Sequence, residues 1–359
     1  MTHPIASSVL DIVGQTPVVR LGRLNSTEVE ILCKLDFLNP GGSTKDRPLS
    51  QLVLEAEKTG ELGPGSTIVD SSSGNFAVAM ALAGAARGYR VICIVDPKLT
   101  EGIEQMLRAL GAELVFATRK TSTGSYLKHR LEIRKELVET IDGAWCPDQY
   151  RNPGISGAHY DSTGKEIVDT MKAYGGRFDA LVIATGTGGT ITGSARRVKE
   201  NFPDTKIVAC DAYGSQIFDR SVSPWLQKGL GSGLRAEDLG NLDASVVDEV
   251  RLVEDCDAFL TARALVCNEG MMAGGSSGSV IFASLTLAKT LPPGARIVTI
   301  LADRMERYFD EHVGDTWMTE KGFDTASSGA AVEARVDHWL ATSESVDSTP
   351  PVLRPRPDA

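Results

Sequence analysis

Short apolar runs rich in β-branched residues alternate with helical patterns over most of this chain, and that alternation limits its fold more than any other feature. The runs occupy 67–69, 90–95, 113–117, 180–184, 206–210 and 296–301. Unbroken apolar strands of this kind suit a parallel sheet covered on both faces. Between them, Leu49, Leu52, Val53 and Ala56 recur at helical spacing over 46–61, and Thr100 stands as an N-cap for a helix running to Leu110. The expected class is α/β with doubly wound sheets, and 359 residues at 42% apolar content are enough for two domains.

Charge and composition narrow the function. With 37 basic against 47 acidic residues and no basic run, a phosphate-backbone footprint is lacking, so no nucleic acid partner is expected. No apolar stretch approaches the roughly 20 residues of a membrane span, and the polar start at Met1, Thr2 and His3 carries no signal-peptide pattern; no membrane contact and a cytoplasmic location are expected. Cys33, Cys93, Cys146, Cys210, Cys256 and Cys267 are scattered without a CxxC pair and are expected to be buried thiols. The five histidines form no ligand pattern, and no metal site is expected.

Four loops carry the chemistry. Asn39-Pro40-Gly41-Gly42-Ser43-Thr44-Lys45-Asp46-Arg47-Pro48 is a turn that delivers Lys45 to the mouth of a helix, where a lowered pKa favours the neutral amine needed for imine formation. Asp70-Ser71-Ser72-Ser73-Gly74-Asn75 joins a strand to an alanine-rich helix over 76–87, a setting suited to a carboxylate. Ala184-Thr185-Gly186-Thr187-Gly188-Gly189-Thr190 follows a strand and opens a helix. Its small residues offer N–H groups and hydroxyls to a phosphate, yet it fits neither GxGxxG nor the P-loop. Ala273-Gly274-Gly275-Ser276-Ser277-Gly278-Ser279 again precedes a helix. Taken singly, each loop could be no more than a turn or a helix cap.

Taken together, in this order and spacing, they resemble the fold type II pyridoxal 5'-phosphate enzymes of the cysteine synthase and cystathionine β-synthase family. The similarity runs from Ile12-Val13-Gly14-Gln15-Thr16-Pro17 to Arg307-Tyr308. The resemblance implies two doubly wound α/β domains with the active site between them: 1–45 with 152–325 as the large cofactor-binding domain, and 46–151 as a small mobile one. A largely disordered extension is expected over 326–359, with one short helix near 332–340. Lys45 is implied as the Schiff-base lysine, Asn75 as partner of the cofactor's 3'-oxygen, and Ser276 as partner of the pyridine nitrogen. Gly186, Thr187, Gly188, Gly189 and Thr190 become the 5'-phosphate loop, and Ser72, Ser73 and Gln149 the holders of the substrate α-carboxylate. The implied chemistry is β-replacement on a serine-type amino acid by a homodimer.

One departure bears on the substrate: Phe76 stands where cysteine synthases carry a threonine. The stretches Val95-Asp96-Pro97-Lys98, Asp211-Ala212-Tyr213-Gly214-Ser215-Gln216-Ile217-Phe218, Arg304-Met305-Glu306-Arg307-Tyr308 and Gly314-Asp315-Thr316-Trp317 look more like the branch that makes N-(2-amino-2-carboxyethyl)-L-glutamate. That branch uses O-phospho-L-serine and L-glutamate on the way to 2,3-diaminopropionate, a building block of siderophores and peptide antibiotics. The intact phosphate loop equally resembles cysteine synthases that use sulfide. Two anionic substrates need cations at the cleft, and Arg130, with Tyr150 beside Gln149, is the candidate. A catalytically idle scaffold of the same fold is the contrasting possibility, against which the intact Lys45, Asn75, Ser276 and phosphate loop argue.

Overall fold

Two sheets organise the chain in the computed structural model, which describes residues 5–121, 126–218 and 223–342. Their strands are β1 Val18–Arg20, β2 Glu30–Leu35, β3 Thr67–Ser71, β4 Arg90–Val95, β5 Glu113–Phe116, β6 Ala144–Trp145, β7 Ala180–Ala184, β8 Lys206–Ala212, β9 Glu249–Val253 and β10 Arg296–Leu301. One sheet has the order β1-β2-β10-β7-β8-β9, the other β5-β4-β3-β6. All pairings are parallel except β1 with β2, so in each sheet the carboxyl ends of the parallel strands share one edge.

Both sheets are covered on two faces, as continuous apolar strands require. In the larger one, alternate residues go to opposite cores, following the period of two. Val182, Val208 and Ile297 pack with Val280, Ile281 and Phe282 of the helix Gly275–Ala288. Leu181, Ile207 and Val298 pack with Ile191, Ala195 and Val198 of the helix Gly189–Asn201. In the smaller sheet, Ile68, Val91 and Cys93 meet the helices Asp46–Thr59, Asn75–Arg87 and Glu101–Ala109. Val69, Ile92 and Ile94 face Ile133, Leu137 and Val138 of Leu127–Thr140. Thr100 caps Glu101–Ala109 by accepting from the Ile103 N–H.

A buried ion network joins the two layers near Lys45. Arg47 forks onto Asp36, with Nε to Oδ2 at 2.9 Å and Nη2 to Oδ1 at 2.9 Å, and reaches Glu166 Oε1 at 2.7 Å. Lys34, on β2 of the larger sheet, meets Glu166 Oε2 at 2.6 Å. Burial works against the Asp36 charge, yet Arg47 and Lys34 hold its carboxyl well below the usual range. The start of Asp46–Thr59 is thereby tied to β2 and to the helix Lys165–Ala173.

The short helix expected near 332–340 is present as Gly329–Thr342, whose Val332 and Val336 are buried in the larger core; the proline-rich stretch 349–359 lies outside the described residues. One expectation is corrected. Cys33, Cys93 and Cys210 are buried, but Cys146 and Cys256 are half-buried and Cys267 is exposed. No described helix is long and apolar enough to cross a membrane.

Candidate active site

Three of the four glycine- and serine-rich loops converge on the carboxyl end of β10, where Asp303 follows the strand. Ser43 pairs with Asp303 in an isolated bridge, and the Thr44 N–H donates to the Ala302 carbonyl at 2.8 Å. Gly274 N–H donates to the Asp303 carbonyl at 2.9 Å, and Asn75 Nδ2 to Asp303 Oδ2 at 2.7 Å. Lys45, Asn75 and the loop before Ser276 therefore meet around one residue.

Lys45 occupies the N-cap position of Asp46–Thr59. It is half-buried. Burial pushes its ammonium pKa down, against the pull of the Asp303 and Asp36 carboxylates. The helix end alone suggested this direction from sequence; desolvation is the leading cause. A neutral amine at this position is the form that attacks a carbonyl.

The serine loop continues β3. Ser72 Oγ accepts from the Ala77 N–H at 3.3 Å, folding the loop onto the helix Asn75–Arg87. Ser73 Oγ accepts from the Asp96 N–H and from Arg130 Nη1, both at 3.1 Å. Gln149 closes the far side: its Nε2 donates to the Ser71 carbonyl at 2.8 Å, and its N–H to Asp70 Oδ2 at 3.1 Å. Arg130 is largely buried, also faces Asp96 Oδ2 at 3.4 Å, and its Nε has no hydrogen-bond partner. Tyr150 follows Gln149 in the chain; burial raises its phenol pKa while the Arg130 charge lowers it. Ser72, Ser73, Gln149, Arg130 and Tyr150 are thus brought together. Phe76 is buried in the smaller core, so it places no hydroxyl at this loop.

The loop from Thr185 to Thr190 ends β7 and opens Gly189–Asn201, with Gly188 at φ +90°. A side chain at Gly188 would meet Leu242 Cβ at 2.5 Å, and one at Gly189 would meet Ile155 Cγ2 at 2.5 Å. Only glycine permits this close cradle of N–H groups at the positive end of the helix, a form suited to a dianion. Thr190 Oγ1 lies 3.2 Å from His159 Nε2, whose Nδ1 lies 2.9 Å from Thr163 Oγ1. Burial, with the Lys45 and Arg47 charges, pushes the His159 pKa down to about 3, so the ring is neutral and orients the Thr190 hydroxyl.

Buried polar atoms without partners mark where a ligand fits. They include Ser276 Oγ, Asn75 Oδ1, Asp303 Oδ1 and Thr44 Oγ1. A hydroxyl, an amide and a phosphate cradle around a desolvated lysine match the polar groups of pyridoxal 5'-phosphate: ring nitrogen, ring oxygen, phosphate and aldehyde. The residues fit that cofactor. Asp70, His159 and Asp303 were missed from sequence, because a single buried acid or histidine has no local signature. Glu254, Cys256 and Asp257 lie within 4.8 Å of one another in metal-like proximity, but Arg335 pairs with both carboxylates.

Residues 9–303 match the family model described as pyridoxal-phosphate dependent enzyme, and the chain belongs to that family. It is an enzyme that uses pyridoxal phosphate. Among its relatives, the N-(2-amino-2-carboxyethyl)-L-glutamate synthase of Ralstonia nicotianae (strain ATCC BAA-1114 / GMI1000) is 38% identical over 331 residues, 92% of this chain and 96% of that one. The cystathionine beta-synthase of Dictyostelium discoideum is 34% identical over 89% of this chain and 64% of its own length. The crystal structure of O-ureido-L-serine synthase superposes with a TM-score of 0.80 at 33% identity, covering 94% of this chain and 100% of that one.

Proposed function

We propose that this enzyme performs β-replacement on O-phospho-L-serine with L-glutamate as the nucleophile, giving N-(2-amino-2-carboxyethyl)-L-glutamate for 2,3-diaminopropionate synthesis. The C–O bond to phosphate breaks and a C–N bond to the glutamate amine forms. The cofactor, when bound, supplies the electron-withdrawing ring that acidifies the substrate's α-carbon. Lys45 takes the α-proton and later returns one. The N-terminal amides of the serine loop, with Gln149, hold the substrate carboxylate, and the Thr185 to Thr190 loop anchors the cofactor phosphate.

The observation that carries the choice of donor is Arg130, a largely buried guanidinium with an unpartnered Nε beside Ser73 of the carboxylate loop. A phosphate dianion would take charge-assisted bonds from it. Similarity over nearly the whole length of the Ralstonia synthase supports the same reading. Incubation with O-phosphoserine or O-acetylserine, each paired with glutamate or sulfide, tests it by product mass. The phosphoserine and glutamate pair is expected to react; cysteine as the sole product points instead to a cysteine synthase.

Arg130→Ala is expected to lower kcat/KM for O-phosphoserine by roughly ten- to a hundredfold, the value of about 1.5 to 3 kcal/mol for a charge-assisted contact, and to change O-acetylserine use far less. Equal losses with both donors would show that Arg130 serves the loop and not the phosphate. We propose further that the enzyme is a cytoplasmic homodimer. Leu38, Met272 and Phe309 are exposed on neighbouring segments, which the Arg304 Nε to Phe37 carbonyl and Met305 N–H to Met272 carbonyl bonds stitch together. Sedimentation is expected to give twice the chain mass, and a monomer would contradict it.

A further inference from the structure

We infer that Asp303 is a positioning residue which, with Tyr308, fixes the Asn75 side-chain amide so that an N–H faces the cofactor's ring oxygen. One oxygen of Asp303 does this: Oδ2 accepts from Asn75 Nδ2 at 2.7 Å and from the Tyr308 hydroxyl at 2.5 Å. An Asn amide has two faces of nearly equal shape, and its environment decides which way it lies. A carboxylate oxygen receives an N–H and repels the amide oxygen, so Asp303 selects one orientation. That orientation uses one amide hydrogen and leaves the second free for a ligand.

The surroundings hold Asp303 in place. Its backbone bridges Ser43, its carbonyl accepts from Gly274, and a side chain at Gly274 would run into its Oδ1. It is fully buried. Burial raises its carboxyl pKa, while Arg307, Tyr308, Asn75 and Lys45 all favour the ionised form. Removing the acceptor frees the amide to flip, and the flipped amide presents an oxygen to the ring oxygen, exchanging an attraction for a repulsion.

This inference rests on the reading of Asn75 as the partner of the 3'-oxygen, and the test separates the two. Apoprotein of the full chain is titrated with pyridoxal 5'-phosphate and with its 3-deoxy analogue, following fluorescence quenching. Asn75→Ala is expected to weaken the parent cofactor about tenfold and the 3-deoxy analogue less than about twofold, the loss of one hydrogen bond. Asp303→Ala is expected to show the same discrimination, and Asp303→Asn, which keeps an acceptor oxygen, to restore parent affinity to within about twofold. The double variant Asn75→Ala/Asp303→Ala should lose no more than either single one. Asp303→Leu, which removes the acceptor while filling its space, carries the test if the alanine variant does not fold. If Asn75→Ala discriminates between the ligands but Asp303→Ala and Asp303→Leu weaken both equally, Asp303 supports the pocket as a whole and the inference is overturned. If Asn75→Ala itself fails to discriminate, the reading of Asn75 falls and this inference falls with it.

Discussion

Lys45→Ala is expected to lower kcat by about three orders of magnitude or more, since a positioned acid or base alone contributes roughly 10² to 10⁴ and this variant loses the imine as well. The loss should come without unfolding. Burial depresses the Lys45 pKa in the folded chain, so the unfolded chain holds its proton more tightly. A charged Lys45 therefore opposes folding at pH below its folded pKa, and the penalty fades as pH rises to its unfolded value, near 10.5. Alanine removes that penalty, so apoprotein melting at neutral pH is expected to hold or rise. A large fall in melting temperature alongside lost turnover would mean that Lys45 is a structural cation.

Arg47→Ala is expected to destabilise the fold by roughly 3 to 5 kcal/mol, the usual loss when one partner of a buried ion pair is removed. Asp36 and Arg47 are both almost wholly inaccessible, and Glu166 keeps only partial contact with water. Without the guanidinium, Asp36 keeps the Thr16 hydroxyl at 2.7 Å and nothing to balance its charge at contact distance, while Glu166 keeps Lys34. Arg47→Lys retains a charge but cannot fork, because an ammonium is a point donor. It should recover part of the loss. Urea unfolding with an unchanged m-value is the appropriate measure, and a loss under about 1 kcal/mol would show that water reaches the network. Since Arg47 lies two residues after Lys45, a cofactor affinity that falls with stability is the expected companion result.

The residues that spoke for themselves in the sequence were those with periodic or clustered chemistry. Each of the six apolar runs forms a parallel strand, with β4, β7 and β10 at the expected bounds and β5 ending one residue short at Phe116. Four strands escaped. In β2, Glu30 and Lys34 interrupt the apolar pattern, and only the tertiary pairing of Lys34 with Glu166 makes that lysine tolerable in a sheet interior. β9 carries Glu249 and Arg251, β6 is two residues long, and β1 is a three-residue antiparallel edge. Lys45 and the small-residue loops were legible because tight turns and helix openings constrain residue type. Asp70, His159 and Asp303 each reach the site through a partner far along the chain: Gln149, Thr190 and Asn75. The Cys267 exposure likewise depends on packing that its apolar neighbours do not reveal.

The central claim is that Lys45, half-buried beside Asp303, is the residue that bears the cofactor. Borohydride reduction of the yellow holoenzyme, followed by proteolysis and peptide mass mapping, tests it directly. The phosphopyridoxyl group is expected on Lys45 at close to one per chain, and the Lys45→Ala protein should carry none. The same group on Lys34, Lys98 or any other lysine, with Lys45 unmodified, would contradict the assignment and the site built around it.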